Sequence, residues 1–274
     1  MAARPWRAII ALLLLTAGCA APAPQVKRIV LLAPFESIYR EVGYDALYPV
    51  KLALTDEAQP DVHLLSVDDG GSVEESILRA EALAADHSIH LAIVTGPVAT
   101  DERVLDTLQD IPVVVIGEWS VTPEEGVFVL ASKELAGQVT SEVSGIYEAA
   151  RLSEANGGEI FGLKSFAVLS QDISNITVLT SAAPSPPEFR ERLLASDLYV
   201  PEPGLLATVA YDAGVLAARV VSESASRADI ISALEEYVFE GLNGPIRFDA
   251  DGYWADAPVY RYRYSGGVLT LTEP

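Results

Sequence analysis

From residue 27 onward, short apolar runs alternate with longer stretches in which apolar residues recur at helical spacing. The runs 28–33, 62–67, 91–95 and 111–116 are rich in Ile, Val and Leu, with the length and β-branched content of buried strands. Between them, 38–56, 74–85 and 102–109 carry apolar positions three and four apart and predict helices. Strand, helix, strand, helix in that order predicts an α/β fold: a parallel sheet flanked by helices. Ligands of such sheets lie beyond the C-terminal ends of the strands. That rule points to four loops, at 34–39, 68–72, 95–100 and 117–120.

Past residue 125 the alternation loosens. Positions 134–153 predict a helix, 156–158 a turn, and 165–170 and 176–180 strands. The Pro184-Ser185-Pro186-Pro187 run starts a helix, because proline fits the first turn. Helices follow at 205–223 and 227–239, the second with Ser226 placed to cap it. The end is strand-rich, at 245–248 and 258–264, with turns at Asp251-Gly252 and Gly266-Gly267. The resulting division is 1–18 leader, 19–26 tether, 27–125 first α/β lobe, and 126–274 a reduced second lobe with C-terminal helices and strands.

The leader changes the picture. Arg4 and Arg7 precede the apolar run 8–15, small residues follow, and then comes Cys19. Positive, then apolar, then small is the order of a secretion signal, and the run is too short to span a bilayer. Leu15-Thr16-Ala17-Gly18-Cys19 resembles a lipobox. That resemblance implies cleavage before Cys19, lipidation of its thiol, and an envelope protein held at a membrane with its body outside the cytoplasm. An ordinary signal peptide with an incidental cysteine is the alternative. Two or three acyl chains hold a protein stably at a bilayer where one does not. Residues 20–25, Ala-Ala-Pro-Ala-Pro-Gln, form a short tether.

Charge narrows the partners. The chain has a net charge of -21, and loss of the leader, with Arg4 and Arg7 and no acid, makes it two units more negative. A field of that sign disfavours nucleic acid and anionic lipid surfaces. One cysteine excludes an internal disulfide and a Cys-rich metal site. His87 and His90 lack a third ligand nearby, and Asp249-Ala250-Asp251-Gly252 reads as a turn, so neither a metal site nor a cofactor is expected. Nucleophile elbow, phosphate loop and dinucleotide fingerprint are all missing, so a non-enzyme is expected.

Several segments together resemble the type 1 periplasmic binding proteins, the branched-chain amino-acid receptors of ABC transporters. They are Ile29-Val30-Leu31-Leu32-Ala33-Pro34-Phe35, Tyr39 with Gly43, Lys51-Leu52-Ala53-Leu54, Asp68-Asp69, and Ile93-Val94-Thr95-Gly96-Pro97. Ala210-Tyr211-Asp212-Ala213 and Gly244-Pro245-Ile246-Arg247-Phe248-Asp249 continue the likeness toward the C-terminus. The resemblance implies two lobes that close on a small ligand, which is then presented to a membrane permease. It departs from the pattern at 120–175, where the second lobe is short. It also departs at Gly117-Glu118-Trp119-Ser120, where small residues are usual, and at Glu36.

The expected ligand contacts are Tyr39, Thr95, Thr100, Glu118 and Trp119. Glu118 repels a carboxylate and Trp119 offers a stacking face, so a cationic or aromatic-stacking ligand suits these two residues better than an ordinary zwitterionic amino acid; the resemblance as a whole implies a small amino-acid-like, amide or cationic ligand. The alternative for Glu118 and Trp119 is a capped turn with a partly buried indole, and for Tyr39 simple packing. Two rival functions stay open: an envelope lipoprotein using a degenerate receptor fold to contact a protein partner, and a sensory lipoprotein feeding a signalling receptor. An open polar cleft favours the receptor, and a filled one favours the partner-binding protein.

Overall fold

The structure is a computed structural model, and it describes residues 26–36, 39–108, 110–138, 159–161, 176–265 and 268–273. Four strands run as the apolar pattern predicts: β1 (Lys27–Ala33), β2 (Val62–Asp68), β3 (Ile89–Val94) and β4 (Val113–Ile116). A fifth, β5 (Val127–Leu130), completes an all-parallel sheet in the order β2-β1-β3-β4-β5. Every residue of β3 and β4 is buried, which is why these runs read as continuously apolar.

The helices α1 (Arg40–Glu57), α2 (Val73–Ala85) and α3 (Glu102–Thr107) are the crossovers of this sheet. Ser72 caps α2 by accepting the Glu75 amide at 3.3 Å, and Glu74 and Glu75 complement the positive helix end. α1 seats directly on the end of β1, because Gly43 has no Cβ to collide with the Pro34 carbonyl. The chain then forms α4 (Lys133–Gln138), the short strand β6 (Glu159–Phe161) and β7 (Ile176–Thr180). The rest of the expected 134–153 helix, the 156–158 turn, the 165–170 strand and Gly266-Gly267 lie outside the described residues.

α5 (Pro187–Ala195) begins at the proline run as expected, and packs Phe189 and Leu193 on Leu52 of α1. α6 (Ala207–Glu223) is the long C-terminal helix, buried along most of its length against α1 and the first sheet. Its last carbonyls, Val221, Ser222 and Ser224, are capped by Lys27 Nζ at 2.7–3.2 Å, pinning the first residue of β1. α7 (Arg227–Glu236) is capped by Ser226 and ends three residues before the expected 239. Phe239 instead enters the hairpin of β8 (Phe239–Gly241) and β9 (Gly244–Ile246). Finally β10 (Tyr260–Ser265) and β11 (Val268–Glu273) join a second sheet ordered β11-β10-β7-β6, in which only β6 and β7 run parallel.

The division at 125/126 thus falls inside the first sheet, since β5 pairs with β4 and α6 and α7 pack on the same sheet. Among the described residues the order of elements takes the chain between the two sheets three times: after β5, after β7 and before β10. No described helix is long and apolar enough to cross a membrane.

Candidate functional site

The strand order reverses between β1 and β3, so the crevice favoured for ligands lies beyond the C-terminal ends of these two strands. Its floor is tightly built. Asp68 Oδ2 accepts the amides of Phe35 at 2.7 Å and Glu36 at 3.0 Å, and Asp68 Oδ1 accepts that of Gly70 at 2.8 Å. Asp69 Oδ1 accepts the Gly71 amide at 2.9 Å. Gly96 adopts φ +100 beside the Pro34 ring, a position where a side chain would strain the loop and strike the proline.

The five expected contact residues converge on this edge, but largely below its surface. Tyr39 sits at the start of α1, nearly buried, and burial raises its hydroxyl pKa. Thr95 is fully buried and donates to the Ile116 carbonyl at 3.0 Å. Thr100 donates back to the Gly96 carbonyl at 2.7 Å. It also borders a cavity of about 170 Å³ with Ser120, Glu102, Asp106 and Glu124.

Trp119 is the largest fully buried side chain among the described residues, and its Nε1 donates to Ile116 O at 2.8 Å and Thr95 Oγ1 at 3.1 Å. The expected stacking face is therefore interior: the indole fills the space beyond β4 instead of walling an open cleft. An indole N–H buried with acceptors on both sides satisfies its one polar atom, so the ring acts as core.

Glu118 is also interior, at 1 % exposure. Its Oε1 accepts the Thr180 hydroxyl at 2.9 Å and the Ser181 amide at 2.7 Å, while Oε2 has no hydrogen-bond partner among the described residues. Burial raises its pKa, opposed by the Ser181 amide and the Thr180 hydroxyl. Its role in this geometry is to tie the end of β4 to the segment following β7.

That segment is a junction which the sequence did not reveal. Ser181 Oγ accepts the Ser132 amide at 2.9 Å, so two crossings meet there. The Tyr262 hydroxyl, on the strand after the third crossing, donates to Ala182 O at 3.1 Å. Asn243 Oδ1 accepts the Ala183 amide at 2.6 Å, and Asn243 in turn donates to Asp212 through both its backbone and side-chain amides. Asp212 belongs to the Ala210–Ala213 segment that carries the likeness in sequence. It is fully buried, its carboxylate also accepts the Leu242 amide, and burial lifts its pKa to about 6.

No protein-family model matches the sequence, and no curated protein matches it significantly. Solved structures do match, across nearly the whole chain. A possible leucine/isoleucine/valine-binding protein from Rhodopirellula baltica aligns with 93% of this chain and 98% of its own, at TM-score 0.70 and 14% identity. The fold is that of the type 1 periplasmic binding proteins. A branched-chain amino-acid transporter substrate-binding protein from Streptococcus pneumoniae, in complex with isoleucine, aligns at TM-score 0.65 and 14% identity, over 91% and 100% of the two chains. An ABC transporter solute-binding protein from R. palustris, in complex with benzoate, aligns at TM-score 0.64 and 13% identity, over 90% and 95%. In the type 1 periplasmic binding fold of the present chain, Glu118 and the Thr180–Ala182 segment lie where the chain passes between the two sheets.

Proposed function

We propose that this chain is an extracytoplasmic solute-binding protein of an ABC transporter, anchored by lipid on Cys19 after removal of residues 1–18. It captures a small amino-acid-like, amide or cationic ligand between its two sheet-bearing parts and presents it to a permease, without catalysis. The observation carrying this reading is the five-stranded parallel sheet with its reversal between β1 and β3, connected to a second sheet by three crossings. Closure about such crossings is how a two-lobed receptor traps a ligand. The likeness to solute-binding structures supports the same reading. Among the expected contacts, Thr100 borders open space. Acids cluster around it, at Glu102, Asp106, Glu124 and Glu125, which favours a neutral or cationic ligand over an anion.

One observation favours a second reading, that of an envelope lipoprotein whose receptor fold contacts a protein partner. Trp119 and Glu118 fill the loop where a ligand's carboxylate could otherwise meet free backbone. Native mass spectrometry of the protein released gently from its own membranes separates the two. A co-purifying small molecule of discrete mass supports the receptor. A stoichiometric protein partner, with no small molecule, supports the second reading.

A further inference from the structure

Three features meet at the segment 180–183. It lies on a crossing between the sheets, it is held from five other parts of the chain, and one of its holders is a buried carboxyl group. From the end of β4, Glu118 takes the Thr180 hydroxyl and the Ser181 amide on a single oxygen. The Thr180 oxygen also accepts the Ala182 amide at 3.1 Å, so the grip extends one residue further. From the first crossing Ser132 donates to Ser181, and from β10 Tyr262 donates to Ala182. From α6, Thr208 donates to Ala183 O at 3.0 Å, beside Asn243 and Asp212.

Glu118 differs from the other holders. Its second oxygen is buried without a hydrogen-bond donor among the described residues. The groups acting on its charge are the Thr180 hydroxyl and the amides of Ser181 and Glu118 itself, with no charged side chain among them. An ionised carboxylate in this position has no counter-charge among the described residues, while one proton removes the charge and leaves Oε1 free to accept both donors. The other titratable groups at the segment are Tyr262 and Asp212. Tyr262 keeps its phenolic proton, because burial raises its pKa, and Asp212 acts through Asn243.

We propose that Glu118 is a proton-linked clasp on the hinge: with a proton it holds the 180–182 segment against β4, and without one it lets the segment go. The direction follows from linkage. A state that buries the carboxyl favours the protonated form, so proton binding favours the clasped state and proton loss favours the state in which Glu118 meets water. This rests on the reading of the crossings as the hinge of a ligand trap.

The test is amide hydrogen exchange on the full chain in mild detergent, without ligand, between pH 5 and 8 and corrected for intrinsic exchange rates. The peptide covering Ser181 to Ala183 should lose up to about tenfold in protection per pH unit between the ordinary carboxylate range and the raised Glu118 transition, and should level off above that transition. Peptides from β3 and β4 should hold theirs. Glu118→Gln should remove the pH dependence, and Asp212→Asn should leave it in place. Uniform protection in the native chain overturns the clasp, as does a dependence that survives Glu118→Gln and vanishes in Asp212→Asn. If Glu118→Gln does not fold, the Glu118 carboxyl carbon is titrated by NMR in the native chain. A transition well above the ordinary carboxylate range supports the clasp, and an ordinary one overturns it. Because no ligand is present, a failed search for ligands leaves this result standing, and the reverse also holds.

Discussion

Trp119 Nε1 donates to Thr95 Oγ1 at 3.1 Å, joining the loop after β4 to the end of β3 inside the protein. Two residues that the sequence marks as ligand contacts thus bond to each other, and the same Nε1 reaches the Ile116 carbonyl. Trp119→Ala should cost roughly 3–5 kcal/mol, as for a large aromatic removed from a packed core. Trp119→Phe should cost less, about 1–3 kcal/mol, from the acceptors left without the indole N–H. Chemical denaturation of both variants checks this. A Trp119→Ala variant as stable as the parent would place the ring at a surface.

Asp212 governs a pH dependence with a defined sign. Its carboxyl pKa in the folded chain is about 6, against the lower value of an ordinary unfolded aspartate. A raised folded pKa gives stability that is fully present below the unfolded pKa and is lost as pH rises through the folded one. The native chain should therefore lose on the order of 2 kcal/mol relative to Asp212→Asn between pH 4 and 7. Denaturation of the pair at several pH values measures the difference. A gap constant across that range contradicts the account.

The repeating units of the first sheet are legible in sequence because β3 and β4 are buried on both faces, so 91–95 and 111–116 read as unbroken apolar runs. β5 escapes notice: four residues following an acidic, proline-containing loop give no periodicity to detect. Ser226 as a cap and the proline run as a helix start were both readable, since each acts on its immediate neighbours. Glu118 and Trp119 are visibly unusual residues, but their orientation is not local information. The partners of Glu118 are 62 and 63 residues away, on a strand end that nothing near Glu118 announces. The same holds for Asp212, which meets Asn243 only because α6 and the β8–β9 hairpin pack together.

The anchor is tested separately from the binding. Under the proposed anchoring, Cys19→Ser should leave the folded body intact and remove the acyl chains, because Cys19 is the proposed site of all of them. Fractionation, with mass analysis of the N-terminal peptide, reads both the location and the acyl chains. A wild-type N-terminal peptide that begins elsewhere than Cys19, or that carries no acyl chain, contradicts lipid anchoring.

Solute capture, the central claim, is tested most directly by thermal unfolding against a panel of amino acids, amides, polyamines and small aromatic acids. A ligand at one hundred times its dissociation constant adds about 2.7 kcal/mol to the folded state. For a chain of this size that is a rise of roughly 5–10 °C. The account predicts such a rise for one neutral or cationic class and none for the others. A cooperative transition that stays at one temperature across the whole panel would contradict it.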